Sequence, residues 1–400
     1  MHEIRDIYHR LLQQTPAQHP RYLLKDFEPG RRLTGLIGPR GSGKTTLLLQ
    51  WIREKGVREE CMYASLDHIY FSTHLLLDFV RECYETEGRR IFFLDEAHKY
   101  PDWNQEIKNI YDSFPEIRVV FSGSSSLDLV KGHYDLSRRG VILRLNGLSL
   151  REFILFKTGD SLPTYSLDDL LGKGRKIAQE LAEIPKLKGW FQEYLRVGYY
   201  PFYFEEPDTY YARILNTVDK TVFEDVANHF SLSTSRLPLL KKLLSYLATV
   251  PPGEISVNTL ARNLGVDHKT TQGYLHMLQD TALTHNLKLE GGGKAVLRAP
   301  EKVLLENANL YHAIAVETGL TPDLGSLRET FFVSALKGAG ALVHYSKEGD
   351  YRAAGKVFEV GGPGKTRRQL KGEKQGILVK DGILTAGPGE IPLHAFGFLW

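Results

Sequence analysis

Gly38-Pro39-Arg40-Gly41-Ser42-Gly43-Lys44-Thr45 has the composition and spacing of a loop that wraps phosphate. Glycines let the backbone bend until several N–H groups face one cavity, and anions fill such cavities readily. The residues that end the loop supply the complementary groups. Lys44 can reach the β- and γ-phosphates of a nucleotide, and the Thr45 hydroxyl can ligate Mg²⁺. A helix starting at Thr45 would aim the positive end of its dipole at the same phosphates. The candidate contacts are therefore Gly38, Pro39, Arg40, Gly41, Ser42, Gly43, Lys44, Thr45 and Thr46.

A second chemical feature is Asp95-Glu96, which follows the apolar run Ile91-Phe92-Phe93-Leu94. Asp95 can hold Mg²⁺ directly or through water, and Glu96 can orient or deprotonate an attacking water. Without such context an Asp-Glu pair is a solvated surface feature. Two weaker candidates come next. The Ser122-Gly123-Ser124-Ser125-Ser126 segment offers hydroxyls that could contact the attacking water or γ-phosphate, or simply cap a helix. Leu136-Ser137-Arg138-Arg139-Gly140 offers an arginine for a transferring phosphoryl group, or a solvated basic turn.

These residues need elements to position them. Leu33–Ile37 predicts a strand leading into the glycines, and residues 45–51 a helix leading out of them. Four apolar residues at 91–94 predict a strand buried on both faces of a parallel sheet, with Asp95 at its carboxyl end, where open α/β sheets bind ligands. Ile117–Phe121 and Val141–Leu145 predict two more strands. The fold class is α/β: a P-loop NTPase parallel sheet, then a helical and winged-helix region, then a small carboxyl-terminal α/β domain.

The order of phosphate loop, Leu-Asp-Glu-Ala strand, Ser-Gly-Ser strand and Leu-Ser-x-Arg segment resembles a group of prokaryotic AAA-superfamily ATPases. Those proteins carry a carboxyl-terminal domain of unknown function. Leu148-Ser149-Leu150-Arg151-Glu152-Phe153 is similar to the segment that closes their ATPase core, and Leu195 to Pro201 to their Gly-Gly-x-Pro segment. The resemblance implies ATP and Mg²⁺ as cofactors, Lys44 and Thr45 on phosphate and metal, Asp95 on metal and Glu96 on water. It further implies Ser124 as a sensor, Arg139 as an arginine finger in its own subunit or a neighbour's, and a homo-oligomer as a possible assembly. Arg138, Gly147 and Tyr199 stand where the family usually has glycine, proline and a second glycine.

With 400 residues the chain exceeds what one core usually supports. The expected division is 1–155 for the nucleotide domain, 156–235 for a helical connector, 236–306 for the winged helix and 307–400 for the last domain. A net charge of +3 is too small to imply nucleic-acid binding by itself. Two cysteines, Cys61 and Cys83, argue against a disulfide framework and for a reducing compartment. No apolar run approaches the roughly 20 residues that span a bilayer, and the first residues lack a signal-peptide core, so the expectation is a cytoplasmic protein without membrane contact.

The later segments carry less chemistry. Gly189 to Phe204 is dense in aromatic residues, which reads as interdomain packing, with base stacking as the alternative. Ser256–Leu264 and His268–Leu278 predict a helix-turn-helix, with Gly291-Gly292-Gly293 as a wing tip. His268, Lys269, Thr270 and Gln272 are then available to DNA bases, and Lys294 to phosphate. A protein-contact role competes with that reading. The family's last domain is similar to a restriction nuclease, which needs an acid on one strand and Glu-x-Lys on the next. Asp350 and Glu359 are the candidate acids, but Gly361 takes the lysine position. Lys365 is a possible substitute, Gly361–Gly364 reads as a turn, and a working nuclease is not expected. Two functions remain: an ATP hydrolase that moves its later domains, and a slow nucleotide switch whose occupancy matters more than its turnover.

Overall fold

A computed structural model describes the chain except residues 17, 29, 124–138, 231, 254–255, 291–301, 371–372 and 374 and the side chain of 228. The chain divides into two compact units, Met1–Gly147 and Leu148–Trp400.

The first unit is built on five strands: β1 (Leu33–Ile37), β2 (Cys61–Ser65), β3 (Ile91–Asp95), β4 (Arg118–Gly123) and β5 (Val141–Arg144). They run in the order β2-β3-β4-β1-β5 with every pair parallel. β1 and β3 are buried at all five positions, because a parallel sheet is covered on both faces. The covering helices present apolar residues at helical spacing. Helix α1 (His2–Gln14) buries Ile4, Tyr8 and Leu12, and α3 (Leu76–Glu87) buries Leu76, Phe79, Val80 and Cys83. Helix α2 (Lys44–Lys55) leaves the phosphate loop, and α4 (Trp103–Ser113) lies between β3 and β4 in sequence. Cys61 and Cys83 are buried free thiols.

The first compact unit ends at Gly147, eight residues before the expected limit of the nucleotide domain at 155. Ser149 begins α5 (Leu150–Thr158) with a capping box, its hydroxyl accepting from Glu152 N–H while the Glu152 side chain accepts from Ser149 N–H. Leu148 N–H donates to Tyr199 O at 2.7 Å, and Tyr194 Oη donates to Leu148 O at 2.7 Å. These bonds tie the start of the Leu-Ser-x-x-Glu-Phe segment to Tyr194 and Tyr199 within the second compact unit.

The second unit continues with α6 (Leu167–Ala182), α7 (Leu187–Val197), α8 (Tyr210–Lys220), α9 (Ala227–Phe230), α10 (Leu237–Thr249), α11 (Val257–Leu264) and α12 (His268–Asp280). An antiparallel pair, β6 (Thr284–Leu287) and β7 (Lys302–Leu305), follows. Tyr274, Leu275 and Leu278 are buried on α12, as their spacing predicts. Helices α13 (Ala308–Thr318) and α14 (Leu324–Gly338) lead to a mixed sheet of β8 (His344–Tyr345), β9 (Tyr351–Ala353), β10 (Lys356–Gly361), β11 (Ile377–Lys380) and β12 (Glu390–Pro392), ordered β12-β11-β10-β9-β8. The aromatic segment packs inside this unit, against residues expected in the last domain. Phe191 and Tyr194 meet Phe331 edge-on, and Tyr199 and Tyr200 are buried. Among the described residues no helix is long and apolar enough to cross a membrane.

Candidate active site at the phosphate loop

The loop runs from the carboxyl end of β1 into the amino end of α2, and local backbone demands account for its glycines. Gly43 caps α2 with φ of 90° and Gly41 has φ of 78°, values that side-chain-bearing residues rarely adopt. Gly38 answers to space. A Cβ there would lie 2.0 Å from Leu145 O, on the segment leaving β5. Lys44 is 5% exposed, and its Nζ donates to Gly38 O at 3.0 Å and Pro39 O at 3.1 Å. Its stem and charge are thus already curled over the loop. Ser42 Oγ is buried without a hydrogen-bond partner among the described residues.

Asp95 ends β3 at 2% exposure and organises the other half of the site. Its Oδ2 accepts from Thr45 Oγ1 at 2.5 Å and from Tyr63 Oη at 2.7 Å. Its Oδ1 accepts from Ser122 Oγ and, at 3.1 Å, from Glu96 N–H. These donors offset the cost of burying a carboxylate. Burial first and the Asp95 charge second push the Tyr63 phenol far up, so it stays a donor. Glu96 sits in left-handed backbone with φ of 50°, a conformation that side-chain-bearing residues hold only under external constraint. Its Oε2 lies 3.5 Å from His98 Nε2.

One carboxylate oxygen and one hydroxyl from Asp95 and Thr45 form the hard-oxygen set that Mg²⁺ takes beside phosphate oxygens and water. Thus the structure brings together the phosphate loop, Thr45, Asp95 and Glu96, which the sequence placed in one site. It adds Tyr63 and His98, and puts Ser122, the first hydroxyl of the serine segment, on Asp95. Arg139 does not join them. It precedes β5, at the amino-terminal edge of the sheet, with Nη2 3.4 Å from Asp112 Oδ2 and its guanidinium over the Tyr111 ring. The loop leaves the opposite, carboxyl-terminal edge, so Arg139 is not a finger for its own chain's loop. Ser124 lies outside the described residues, as do Arg138, the Gly291–Gly293 wing tip and Lys294.

With this geometry in place, comparison with known families is decisive for the first unit: the family described as an AAA domain matches residues 30–154. Those residues are similar to AAA domains. A domain of unknown function (DUF8612) matches residues 188–321. Together they agree with the resemblance to AAA-type ATPases carrying a domain of unknown function. Solved structures similar to the chain include C. elegans PCH-2, at 18% identity and TM-score 0.24, covering 43% of this chain and 48% of that one. A DNA replication initiation factor matches at 16% identity and TM-score 0.26, covering 69% and 88%. AMPPCP-bound DnaA from Aquifex aeolicus matches at 15% and 0.26, covering 68% and 86%. The chain spans about half the length of the PCH-2 chain, and likeness this slight bears on no function. No curated protein matches the chain. The loop and β3 both lie within the matched residues.

In the second unit the candidate nuclease residues have a definite arrangement. Lys365 N–H donates to Gly362 O at 3.0 Å, so the glycine-rich segment is a turn, and that turn delivers Lys365 Nζ to 2.5 Å from Glu359 Oε1. A Cβ on Gly361 would meet the Lys365 stem at 2.7 Å, so the missing side chain at 361 is the space Lys365 fills. Asp350 Oδ2 is occupied by Val360 N–H at 2.8 Å. Among the described residues no group of three His, Cys, Asp or Glu is placed to hold a metal ion.

Proposed function

We infer that the protein is a Mg²⁺-dependent ATPase. The Gly38–Thr46 loop and α2 bind the phosphates, Lys44 pairs with the β- and γ-oxygens, Thr45 and Asp95 hold the metal, and Glu96 handles the attacking water. Mg²⁺, when bound, neutralises charge on the bridging phosphates. The observation that supports this reading is the 2.5 Å bond from Thr45 Oγ1 to Asp95 Oδ2, which brings two motifs fifty residues apart within reach of one metal ion. Preference for ATP rests on the AAA family match.

The second unit would then be what the nucleotide cycle moves. Its α10–β7 region has the element order of a winged helix, with His268 and Lys269 exposed at the start of α12. The Asp267 carboxylate caps that helix, with Oδ1 accepting from Thr270 N–H at 2.9 Å. Its negative charge at the groove-facing end favours a protein partner over DNA. Arg139, half-buried at the sheet edge away from its own loop, is near a surface that a neighbouring copy could meet if the protein assembles.

One contact favours the slow-switch reading: Glu96 Oε2 faces His98 Nε2, which would hold the carboxylate back from water. Steady-state phosphate release with Mg·ATP separates the two. Release above the buffer rate that disappears in Glu96→Gln supports the hydrolase. Tight binding with release at the buffer rate makes it a switch.

A further inference from the structure

Arg21 precedes the short 3₁₀ turn at Tyr22–Lys25 and is 4% exposed, an unusual burial for a guanidinium. Its fork is filled by backbone carbonyls from two places far apart in sequence. Nη1 donates to Ser42 O in the middle of the phosphate loop. Nη2 donates to Asn146 O at 2.8 Å and to Gly147 O at 2.9 Å, on the segment that leaves β5 and ends the first unit. The same two segments meet again beside it. Leu145 N–H donates to Ile37 O at 2.8 Å, and Leu145 O lies where a Gly38 Cβ would be. Tyr22 adds a further tie, its Oη donating to Arg144 O at 3.1 Å.

The bond to Ser42 O has a direct electrostatic consequence. The chain contains no cis peptide among the described residues, so the Ser42–Gly43 peptide is trans and its C=O and N–H point in opposite directions. Drawing Ser42 O towards Arg21 turns the Gly43 N–H the other way, towards the concave side of the loop where a phosphate oxygen would be held. A planar fork can hold this carbonyl and those of 146 and 147 at once, whereas an ammonium on a flexible stem would not fix the three together.

We propose that Arg21 is a positioning residue that sets the phosphate loop for nucleotide and couples its occupancy to residues 145–147, the strap leading out of the first unit. This rests on the nucleotide-binding reading above and adds the route by which that site is read. A phosphate on the loop tightens the Gly43 peptide, the Ser42 carbonyl is held harder against Arg21, and the other prong fixes the carbonyls of 146 and 147. Without Arg21 the loop still has its glycines, Lys44 and Thr45, so binding weakens but the strap no longer responds.

Hydrogen exchange on the full chain, with and without AMPPCP and Mg²⁺, tests this, with the Leu145 amide as reporter. In the wild type, nucleotide should slow exchange in both 38–47 and 142–147, by about fivefold or more. In Arg21→Met, saturating nucleotide should slow exchange in 38–47 alone. Arg21→Lys, which keeps a cation but not the fork, should behave in the same way and serves if the methionine variant fails to fold. An unaltered response at 142–147 in a folded variant overturns the proposal, as does wild-type protection confined to the loop. Absence of protection anywhere in the wild type strikes the nucleotide reading itself, and the coupling falls with it.

Discussion

Thr45 Oγ1 donates to Asp95 Oδ2 across 2.5 Å, linking the first turn of α2 to the end of β3. The hydroxyl donates and the carboxylate accepts, so two oxygens from distant motifs lie side by side at a helix amino terminus. A divalent cation there would take a lone pair from each, the Thr45 hydroxyl keeping its proton and turning it away from Asp95.

Lys44 is the group most committed to phosphate. Lys44→Ala should weaken ATP binding by about 100-fold, corresponding to roughly 3 kcal/mol for a charge-assisted contact. Titration with a fluorescent ATP analogue measures it. Affinity within a few-fold of wild type would remove the lysine from the site.

Glu96→Gln should keep nucleotide affinity and slow phosphate release by about 100- to 1,000-fold, since an amide accepts no proton. His98→Ala should have the opposite sign, raising release about threefold by freeing a carboxylate now 3.5 Å from the imidazole. Should His98→Ala fall to the Glu96→Gln rate, the histidine would belong to the water-handling pair rather than restraining it.

Tyr63 Oη donates to Asp95 Oδ2 at 2.7 Å and also lies beside the Thr45 hydroxyl. Tyr63→Phe should therefore raise the Mg²⁺ concentration needed for half-maximal nucleotide binding by about tenfold while metal-free binding is unchanged. An unaltered Mg²⁺ dependence would make the phenol a packing residue.

Lys365 and Glu359 give a pH-dependent stability test. Burial is the main cause of a raised Glu359 carboxyl, and Lys365 opposes it. A raised acid contributes stability that is complete below its unfolded value and fades as pH rises through the folded value. Removing the opposing ammonium lifts the folded value further. Lys365→Met should cost about 2 kcal/mol at pH 7 and markedly less near pH 4, the neutral-pH figure being below that for a fully buried pair because Lys365 stays partly exposed. Urea midpoints at the two pH values measure it. An equal loss at both would point to lost packing over Gly361.

Arg139→Ala should leave nucleotide affinity of the isolated chain unchanged, because the guanidinium pairs with Asp112 at the other edge of the sheet. If it acts on a neighbour, mixing Arg139→Ala with Lys44→Ala protein should restore some phosphate release. No recovery in a confirmed mixed assembly would end that role.

What the sequence revealed was local. The glycine spacing of the loop and the four apolar residues before Asp95-Glu96 are contiguous patterns, and each names its own element. The partners of Asp95 were hidden because they arrive through pairing between distant strands. Cys61-Met62-Tyr63-Ala64-Ser65 carries little strand signal on its own, and Tyr63 gains meaning only when Ser65 pairs with Asp95. Arg21 lies in an irregular segment where an isolated arginine looks like a surface charge. Strand β4 extends to Gly123, two residues beyond the apolar run, so Ser122 meets Asp95 within the strand itself. Which edge of the sheet Arg139 occupies could be read only once the direction of β5 was known. Lys365 was legible as a possibility and settled by the turn that carries it.

Calorimetric titration of AMPPCP, with and without Mg²⁺, into wild-type and Asp95→Ala protein tests the joint site most directly. The expected result is wild-type binding tightened by Mg²⁺ about tenfold or more, and Asp95→Ala binding that Mg²⁺ no longer tightens. Equal Mg²⁺ enhancement in both proteins, or no binding to the wild type, would contradict a shared metal and phosphate site at Thr45 and Asp95.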